Sequence, residues 1–235
     1  MDIPQHILDR TILRPEYREW LERETAVYVY CDLANMLHWQ NTLGWKFRIE
    51  DVLKQLQSYA NVKEVKVYYG LNQRDEVNSR AFHGRIKKAG GIMRTKPMKY
   101  IHKSIEHALF FQKRTLTCFD SKTNEYIDTF ITQLQEKGVV IEEPKCNFDV
   151  EMTMDMLDDI DKMTAVLLFS GDSDLSAPLE RLKVQGKQIG VVGVRGYVAH
   201  ELHRLYDQYF DFGKLYTGKR RYLDAKIPPK AGPQK

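Results

Sequence analysis

Three short, almost unbroken apolar runs constrain this chain more than any other feature of its sequence. They are AVYVYCD (26–32), TAVLLFS (164–170) and KQIGVVGV (187–194). A strand with one face in water alternates apolar and polar residues, whereas a strand buried on both faces is apolar throughout. Helical patterns separate these runs along the chain. The order therefore predicts an α/β protein, a three-layer sandwich with a mostly parallel central sheet.

The remaining segments complete this alternation and suggest the domain boundaries. Further strands are predicted at 62–70, 92–98, 139–144 and 208–212, and helices at 49–59, 75–89, 125–137, 149–161, 173–186 and 197–205. We expect a helical extension over residues 1–24 and one domain over 25–213, with a basic insertion at about 99–122. A basic, flexible tail is expected over 214–235.

Composition excludes several classes of protein. No stretch approaches the roughly 18 apolar residues that a membrane span needs. The first ten residues, MDIPQHILDR, carry acids where a signal peptide would be basic and then apolar. The cysteines, Cys31, Cys118 and Cys146, are odd in number and form no CxxC pair, so neither a disulfide scaffold nor a cysteine-rich zinc site is indicated. We expect a cytoplasmic protein of a reducing compartment, with no membrane partner.

The net charge of +4 conceals two zones of opposite sign. Residues 80–114 contain ten Lys or Arg and one acid, whereas residues 141–175 contain ten acids and two lysines. Separate basic and acidic zones suggest that one holds a polyanion and the other a metal ion. The alternative is that both zones are ordinary solvated surface.

Acidic residues follow several of the predicted strands. Asp32 ends the first strand, with Asn35 three residues later, Asp172 and Asp174 follow the strand at 164–170, and Asp149 opens a helix. In open α/β sheets, ligands bind beyond the carboxyl ends of the strands. Clustered carboxylates repel and raise one another's pKa. Because a divalent cation would neutralise that repulsion, this edge is a candidate metal site.

Each of these residues could instead cap the helix that follows it, a common role for Asp and Asn. The conjunction of three acid-bearing segments at one edge favours a site. Asp155, six residues after Asp149, is ranked lower. It shares a helical stripe with Glu151 and Asp158 or Asp159, and we expect that stripe to face solvent.

Together these residues form a familiar pattern. Its parts are DLAN (32–35), Lys145 followed by Asp149 and Val150 with Asp155 downstream, SGDSD (170–174), and PLERLKVQGKQIGVVGV (178–194). Over about residues 26–194 the chain resembles the NYN domain family, which comprises LabA-like proteins with a PIN-like nuclease fold. SGDSD with its flanking strand is the most specific part of the match.

The resemblance implies a sheet in PIN-like, Rossmannoid order and a divalent-metal-dependent nuclease that acts most often on RNA. Asp32, Asp149, Asp172 and Asp174 would form its acidic, metal-binding centre, and Asn35 would orient Asp32 or the scissile phosphate. Mg²⁺ or Mn²⁺ is the expected cofactor, because carboxylates and water select these ions over zinc. Endoribonuclease action is the expectation, with exonucleolytic action left open.

A polyanionic substrate requires cations near the acidic edge. The predicted nucleic-acid-binding residues are Lys96, Lys99, Lys103, Lys145 and Arg195, and Lys113 and Arg114 could extend this wall. Tyr100, Phe110 and Phe111 could stack on bases, although packing is the alternative for the two phenylalanines. His200 and His203 lie three residues apart and could share a metal, but no third ligand is indicated.

Three functions remain open from the sequence. The first is a metal-dependent ribonuclease, the second a non-catalytic, regulatory RNA-binding protein, and the third a nuclease directed at DNA. All four acids that the resemblance assigns to the metal centre are present, which favours catalysis. A homodimer is a further expectation, because the long insertion carries apolar residues.

Overall fold

A computed structural model describes residues 15–103 and 120–214. Its helices are α1 (Pro15–Arg23), α2 (Leu33–Leu43), α3 (Ile49–Gln57), α4 (Glu76–Lys88), α5 (Ser121–Glu136), α6 (Asp149–Asp158) and α7 (Ser176–Val184). Its strands are β1 (Val27–Asp32), β2 (Val62–Tyr68), β3 (Ile92–Arg94), β4 (Lys99–Lys103), β5 (Ile141–Lys145), β6 (Ala165–Phe169), β7 (Gln188–Gly193) and β8 (Gln208–Asp211). Short 3-10 helices cover Gln73–Asp75, Ser173–Leu175, His200–Arg204 and Phe212–Lys214.

Six of these strands form one sheet in the order β3-β2-β1-β6-β7-β8, and every neighbouring pair in it is parallel. The predicted α/β class and mostly parallel sheet are thus confirmed. The apolar runs of the sequence lie at the centre, because β1 and β6 are buried almost throughout.

Side chains alternate between the two faces of the sheet, as strand geometry requires. On one face Val27, Val29 and Cys31 share a core with residues of α1 to α4; its helical members include Trp20, Met36, Leu53 and Ile86. On the other face the Tyr30 hydroxyl donates to Asp159, directly after α6. Helices therefore cover both faces, which gives the three layers.

The described chain divides into two compact units, the first formed by residues 15–69, 75–95 and 147–214 and the second by 70–74, 96–103 and 120–146. In the second unit β4 and β5 pair antiparallel. Its helix α5 exposes Tyr126 and Phe130. The predicted basic insertion falls in the second unit, but its residues 104–119, and the predicted tail from residue 215, lie outside the described residues.

The secondary structure differs from expectation in three places. Strand β4 lies within the expected basic insertion, where no strand was predicted. Helix α2, which begins after Asp32 and ends at Gly44 in the left-handed conformation, was not predicted. The helix predicted over 197–205 is a shorter 3-10 turn, His200–Arg204. Of the helices that the structure describes, none is long and apolar enough to cross a membrane.

Candidate active site

The site forms where the order of the strands along the chain reverses across the sheet. From β1 the chain continues to β2 on one side, and it later returns to place β6 on the other side of β1. Loops that leave β1 and β6 therefore diverge and open a crevice at their carboxyl ends, the usual ligand position in such sheets. Asp32 is the last residue of β1, and Ser170 follows the end of β6.

Asp32 is the central carboxylate of this crevice. Its Oδ1 accepts from the backbone N–H of Asn35 at 3.1 Å, which makes Asp32 the N-cap of α2. Its Oδ2 accepts from the Ser170 hydroxyl at 3.4 Å. The capping alternative is therefore realised, and it leaves lone pairs of both oxygens for a further partner.

The segment Ser170–Asp174 is held in a tight turn by its own side chains. The backbone N–H of Asp172 donates to the buried Ser170 Oγ at 3.2 Å, and that of Asp174 donates to Asp172 Oδ1 at 3.1 Å. Ser170 thus links the Asp32 carboxylate to the aspartate turn. It was not a predicted site residue, although its place at the start of SGDSD was a signal that could have identified it.

Asp149 enters from a third segment. It is the first residue of α6, and its backbone N–H donates to Asn147 Oδ1 at 2.7 Å. Phe148, just before it, packs edge-on against Tyr68 at the end of β2, with ring centroids 5.9 Å apart. This contact fixes the start of α6 beside β2, which neighbours β1. Asp149 itself does not cap the helix.

The pKa values show that these carboxylates share one electrostatic environment. Burial, together with the charges of Asp149 and Asp172, raises the pKa of Asp32 to about 6, against hydrogen bonds from Asn35 and Ser170 that lower it. Burial also raises the pKa of Asp149, again with contributions from Asp172 and Asp174. Three chain segments therefore bring the four predicted aspartates close enough for their charges to disfavour the ionisation of Asp32 and Asp149.

Asn35 is fixed on the first turn of α2. Its side-chain oxygen accepts from the indole N–H of the buried Trp39 at 2.9 Å. The amide is thereby oriented, with its Nδ2 group as the donor end. Because its backbone N–H also binds Asp32, Asn35 is suited to orienting that carboxylate.

A hard divalent cation suits the chemistry of this donor set, since the four predicted aspartates offer carboxylate oxygens. Burial and neighbouring carboxylate charges raise the pKa values of Asp32 and Asp149, and a dication would offset both effects. Over residues 15–103 and 120–214, no three acidic, cysteine or histidine side chains already stand grouped as ligands. Binding would therefore require the carboxylates to approach one another further.

The loop after β7 packs directly on the aspartate turn. The backbone N–H of Ala199 donates to the Gly171 carbonyl at 2.9 Å. A Cβ atom at Gly171 would lie 1.9 Å from the Tyr197 carbonyl oxygen, so only glycine fits there. The same loop carries Arg195, which is exposed. Of the predicted nucleic-acid-binding residues, Arg195 alone lies in the same compact unit as the aspartates.

The predicted lysines Lys96, Lys99, Lys103 and Lys145 all belong to the second unit. Lys99 and Lys145 lie opposite each other on β4 and β5. Lys103 forms an ion pair with Glu143. Two like charges directly opposite each other on neighbouring strands repel. A bound anion would relieve this repulsion, so the Lys99–Lys145 pair is suited to binding one. Lys113, Arg114, Phe110 and Phe111 lie outside the described residues.

The face of α6 that we expected to meet solvent is turned inward. Arg94 donates to both Asp155 oxygens at 2.8 Å, and the Tyr68 hydroxyl donates to Asp155 at 2.6 Å. Asp159 is 2% exposed and ion-paired with the equally buried Lys66. The expectation was therefore wrong for Asp155 and Asp159, because β2 and β3 supply cationic and hydroxyl partners for them.

Comparison with known proteins gives consistent similarities. The model of the NYN domain family matches residues 26–215. The low amplitude and bright protein LabA of Synechococcus elongatus is 24% identical over 193 residues, which is 82% of this chain and 87% of LabA. The crystal structure of a Vibrio parahaemolyticus protein of unknown function matches with a TM-score of 0.54 at 18% identity, covering 82% of this chain and 96% of the other.

Proposed function

Because the chain belongs to the NYN domain family, a family of the PIN-like nuclease superfamily, we propose that it is a divalent-metal-dependent ribonuclease. The observation that carries the proposal is the coupled group of aspartates at the crevice between β1 and β6. Asp32 is held there with a pKa raised to about 6. A fold has no use for mutually repelling carboxylates, whereas a metal site requires them.

Asp32, Asp149, Asp172 and Asp174 would hold Mg²⁺ or Mn²⁺. When bound, such an ion lowers the pKa of a coordinated water and neutralises charge on the phosphate. The protein's own groups supply the geometry. Ser170 fixes the orientation of the Asp32 carboxylate and, through its hydrogen bond from the backbone N–H of Asp172, holds the aspartate turn beside it.

Cations would hold the substrate by its phosphates. Arg195 is exposed on the loop that packs against Gly171, so it is the proposed phosphate contact of the unit that contains the aspartates. Lys96, Lys99, Lys103 and Lys145 remain proposed contacts of the second unit. The logarithm of the RNA-binding constant falls linearly with the logarithm of the salt concentration. For a single strand, removing one phosphate contact should make this slope shallower by about 0.7.

One observation favours a second function, a non-catalytic RNA-binding protein. Along the described ranges the carboxylates are not already gathered as metal ligands. A regulatory protein could keep this crevice for binding alone. The two functions differ in the fate of the RNA, which a nuclease cuts and a binding protein leaves intact.

The deciding experiment incubates the protein with labelled single- and double-stranded RNA and DNA in Mn²⁺, Mg²⁺ or EDTA. We expect cleavage of RNA that requires metal and that falls at least about 100-fold in Asp172→Asn. Asp158→Asn, which changes an exposed acid of α6, is the matched control and should retain activity. RNA that is bound but intact under every metal condition would support the binding protein, and preferential cleavage of DNA would reassign the substrate.

A further inference from the structure

An exposed row of aromatic side chains lies next to the aspartate turn. His200, His203, Tyr206 and Tyr209 follow one another with ring centroids 6.2, 5.6 and 5.7 Å apart. We call these four residues the aromatic strip. Both histidines are exposed and both tyrosines are partly exposed. The spacings lie in the range of interacting aromatic rings, so the strip is an ordered surface feature.

Hydrogen bonds fix the strip in place. His203 Nδ1 lies 2.9 Å from the Tyr206 hydroxyl, and the Tyr209 hydroxyl donates to the Gly193 carbonyl at 3.1 Å. Leu202 and Leu205, between the ring-bearing positions, are buried. The segment is therefore anchored by its leucines while its rings stay at the surface.

The strip begins at the acidic crevice. The 3-10 helix His200–Arg204 contacts the 3-10 helix Ser173–Leu175, which contains Asp174. Ala199, directly before His200, is hydrogen-bonded to Gly171 in the aspartate turn. A ligand that reached the aspartates could therefore continue onto the strip without leaving the protein surface.

Tyr197 and Arg195 add the remaining elements of a nucleic-acid surface at this point. Tyr197 is 53% exposed, and in the described part of the chain its ring has no aromatic partner. Arg195 is exposed and lies close enough to Tyr209 for its charge to affect the pKa of that tyrosine. Exposed rings interleaved with guanidinium groups are the arrangement that binds unpaired bases, through stacking on the rings and phosphate contacts to the cations.

From this arrangement we propose that the aromatic strip, with Tyr197 and Arg195, is the binding track for single-stranded RNA that leads to the acidic crevice. The inference rests on the proposed nuclease function and specifies its substrate as unpaired. Duplex RNA is excluded from such a track, because its bases are already stacked and paired and present only backbone and groove edges. A contiguous row of rings at the surface is the kind of feature that marks an interaction site.

Binding without cleavage tests the track separately from catalysis. Full-length protein is titrated in EDTA against a fluorescein-labelled single strand of about 12 nucleotides, followed by anisotropy. We expect Tyr197→Ala, and the double variant His200→Ala/His203→Ala, each to raise Kd about five- to tenfold, at the low end of the range for one stacked base. The salt dependence of RNA binding in these variants should match that of the wild type. Arg195→Ala should instead make the slope of log K against log salt concentration shallower by about 0.7.

Tyr126→Ala is the control, because Tyr126 is an equally exposed tyrosine of the second unit. It should leave Kd unchanged. A 2-aminopurine placed in the strand should lose fluorescence on binding to the wild type and regain it with Tyr197→Ala. Circular dichroism melting checks that each variant is folded. A DNA strand of the same sequence, run in parallel, shows whether the track distinguishes the sugar.

Two results would overturn the inference. One is an unchanged Kd for single-stranded RNA in both strip variants; the other is equal affinity of the wild type for duplex and single strand. A changed oligomeric state in the strip variants, with Kd for RNA unaltered, would assign the strip to a protein contact instead. These results are independent of cleavage: a protein that binds through the strip but never cuts refutes the nuclease and leaves the track standing.

Discussion

Asp32→Asn is expected to stabilise the metal-free protein while removing its activity. The pKa of Asp32 rises from 3.8 to about 6 on folding, mainly through burial. Between these values the folded state binds more protons than the unfolded state, so this residue's contribution to stability falls as pH rises from about 4 to 6. The shift of about 2 pH units corresponds to a penalty of up to about 3 kcal/mol above pH 6.

The amide carries no charge to desolvate and still accepts the backbone N–H of Asn35, because asparagine is as good an N-cap as aspartate. In EDTA at pH 7.5, urea denaturation should therefore find the variant about 1–3 kcal/mol more stable than the wild type, with the same m-value. At pH 4 the difference should disappear, because the wild-type carboxyl is then protonated. Cleavage of RNA should be lost at every pH.

Metal should cancel or reverse this difference in stability. At a Mn²⁺ concentration about 100-fold above Kd, the wild type should gain about 2.7 kcal/mol, whereas the variant gains little. Asp158→Asn, an exposed control, should change stability by less than about 0.5 kcal/mol. A variant that is less stable than the wild type in EDTA at pH 7.5, or a difference that does not depend on pH, would refute the reasoning.

Three further substitutions test the structural basis of the site. Gly171→Ala should cost about 2–4 kcal/mol in thermal unfolding, because the new Cβ would lie 1.9 Å from a backbone carbonyl oxygen. Lys66→Met should cost about 3–5 kcal/mol in urea unfolding, because it removes the buried ammonium partner of the Asp159 carboxylate and leaves only the exposed Lys162. Ser170→Ala removes a hydrogen bond that lowers the pKa of Asp32, so in EDTA the pH-dependent loss of stability should extend above pH 6.

Two of these substitutions, Gly171→Ala and Lys66→Met, have a matched control in the chain. A Cβ at Gly84 meets nothing within 4 Å, so Gly84→Ala in α4 should be neutral or stabilising. Lys162 also pairs with Asp159 but is 58% exposed, so Lys162→Met should cost at most about 1 kcal/mol. If Lys66→Met and Lys162→Met lowered the free energy of unfolding equally, the importance of the buried Lys66–Asp159 pair would be contradicted. If Gly171→Ala left stability unchanged, the close packing of the aspartate turn would be contradicted.

The sheet was predictable because its signal is local. Each central strand is an apolar run that can be recognised without knowing which strands pair with it. The acids at the strand ends are then identified from the position where each run stops. Helix α2 was less evident, because its buried residues Leu33, Met36 and Trp39 are spread among polar ones. The Asp32 cap and the final Gly44 were its recognisable signals.

The orientation of α6 could not be read from its own sequence. Val150, Met154 and Leu157 form its apolar stripe, yet they are 68%, 59% and 39% exposed. The acids on the opposite stripe face the sheet because Lys66 and Arg94 come from distant strands to pair with them. A charged residue that is buried by partners distant in the sequence does not appear in the hydrophobic periodicity of its own helix. Likewise, a lysine within a strand is interpreted as a surface residue until its partner is known.

The location of a bound metal ion tests the central claim most directly. Crystals of the full-length protein soaked in Mn²⁺ are measured at the manganese absorption edge. We expect an anomalous peak within about 2.0–2.6 Å of carboxylate oxygens from Asp32 and at least one of Asp149, Asp172 and Asp174. Manganese peaks found only elsewhere on the molecule, with these aspartates bound by protein groups alone, would contradict the account.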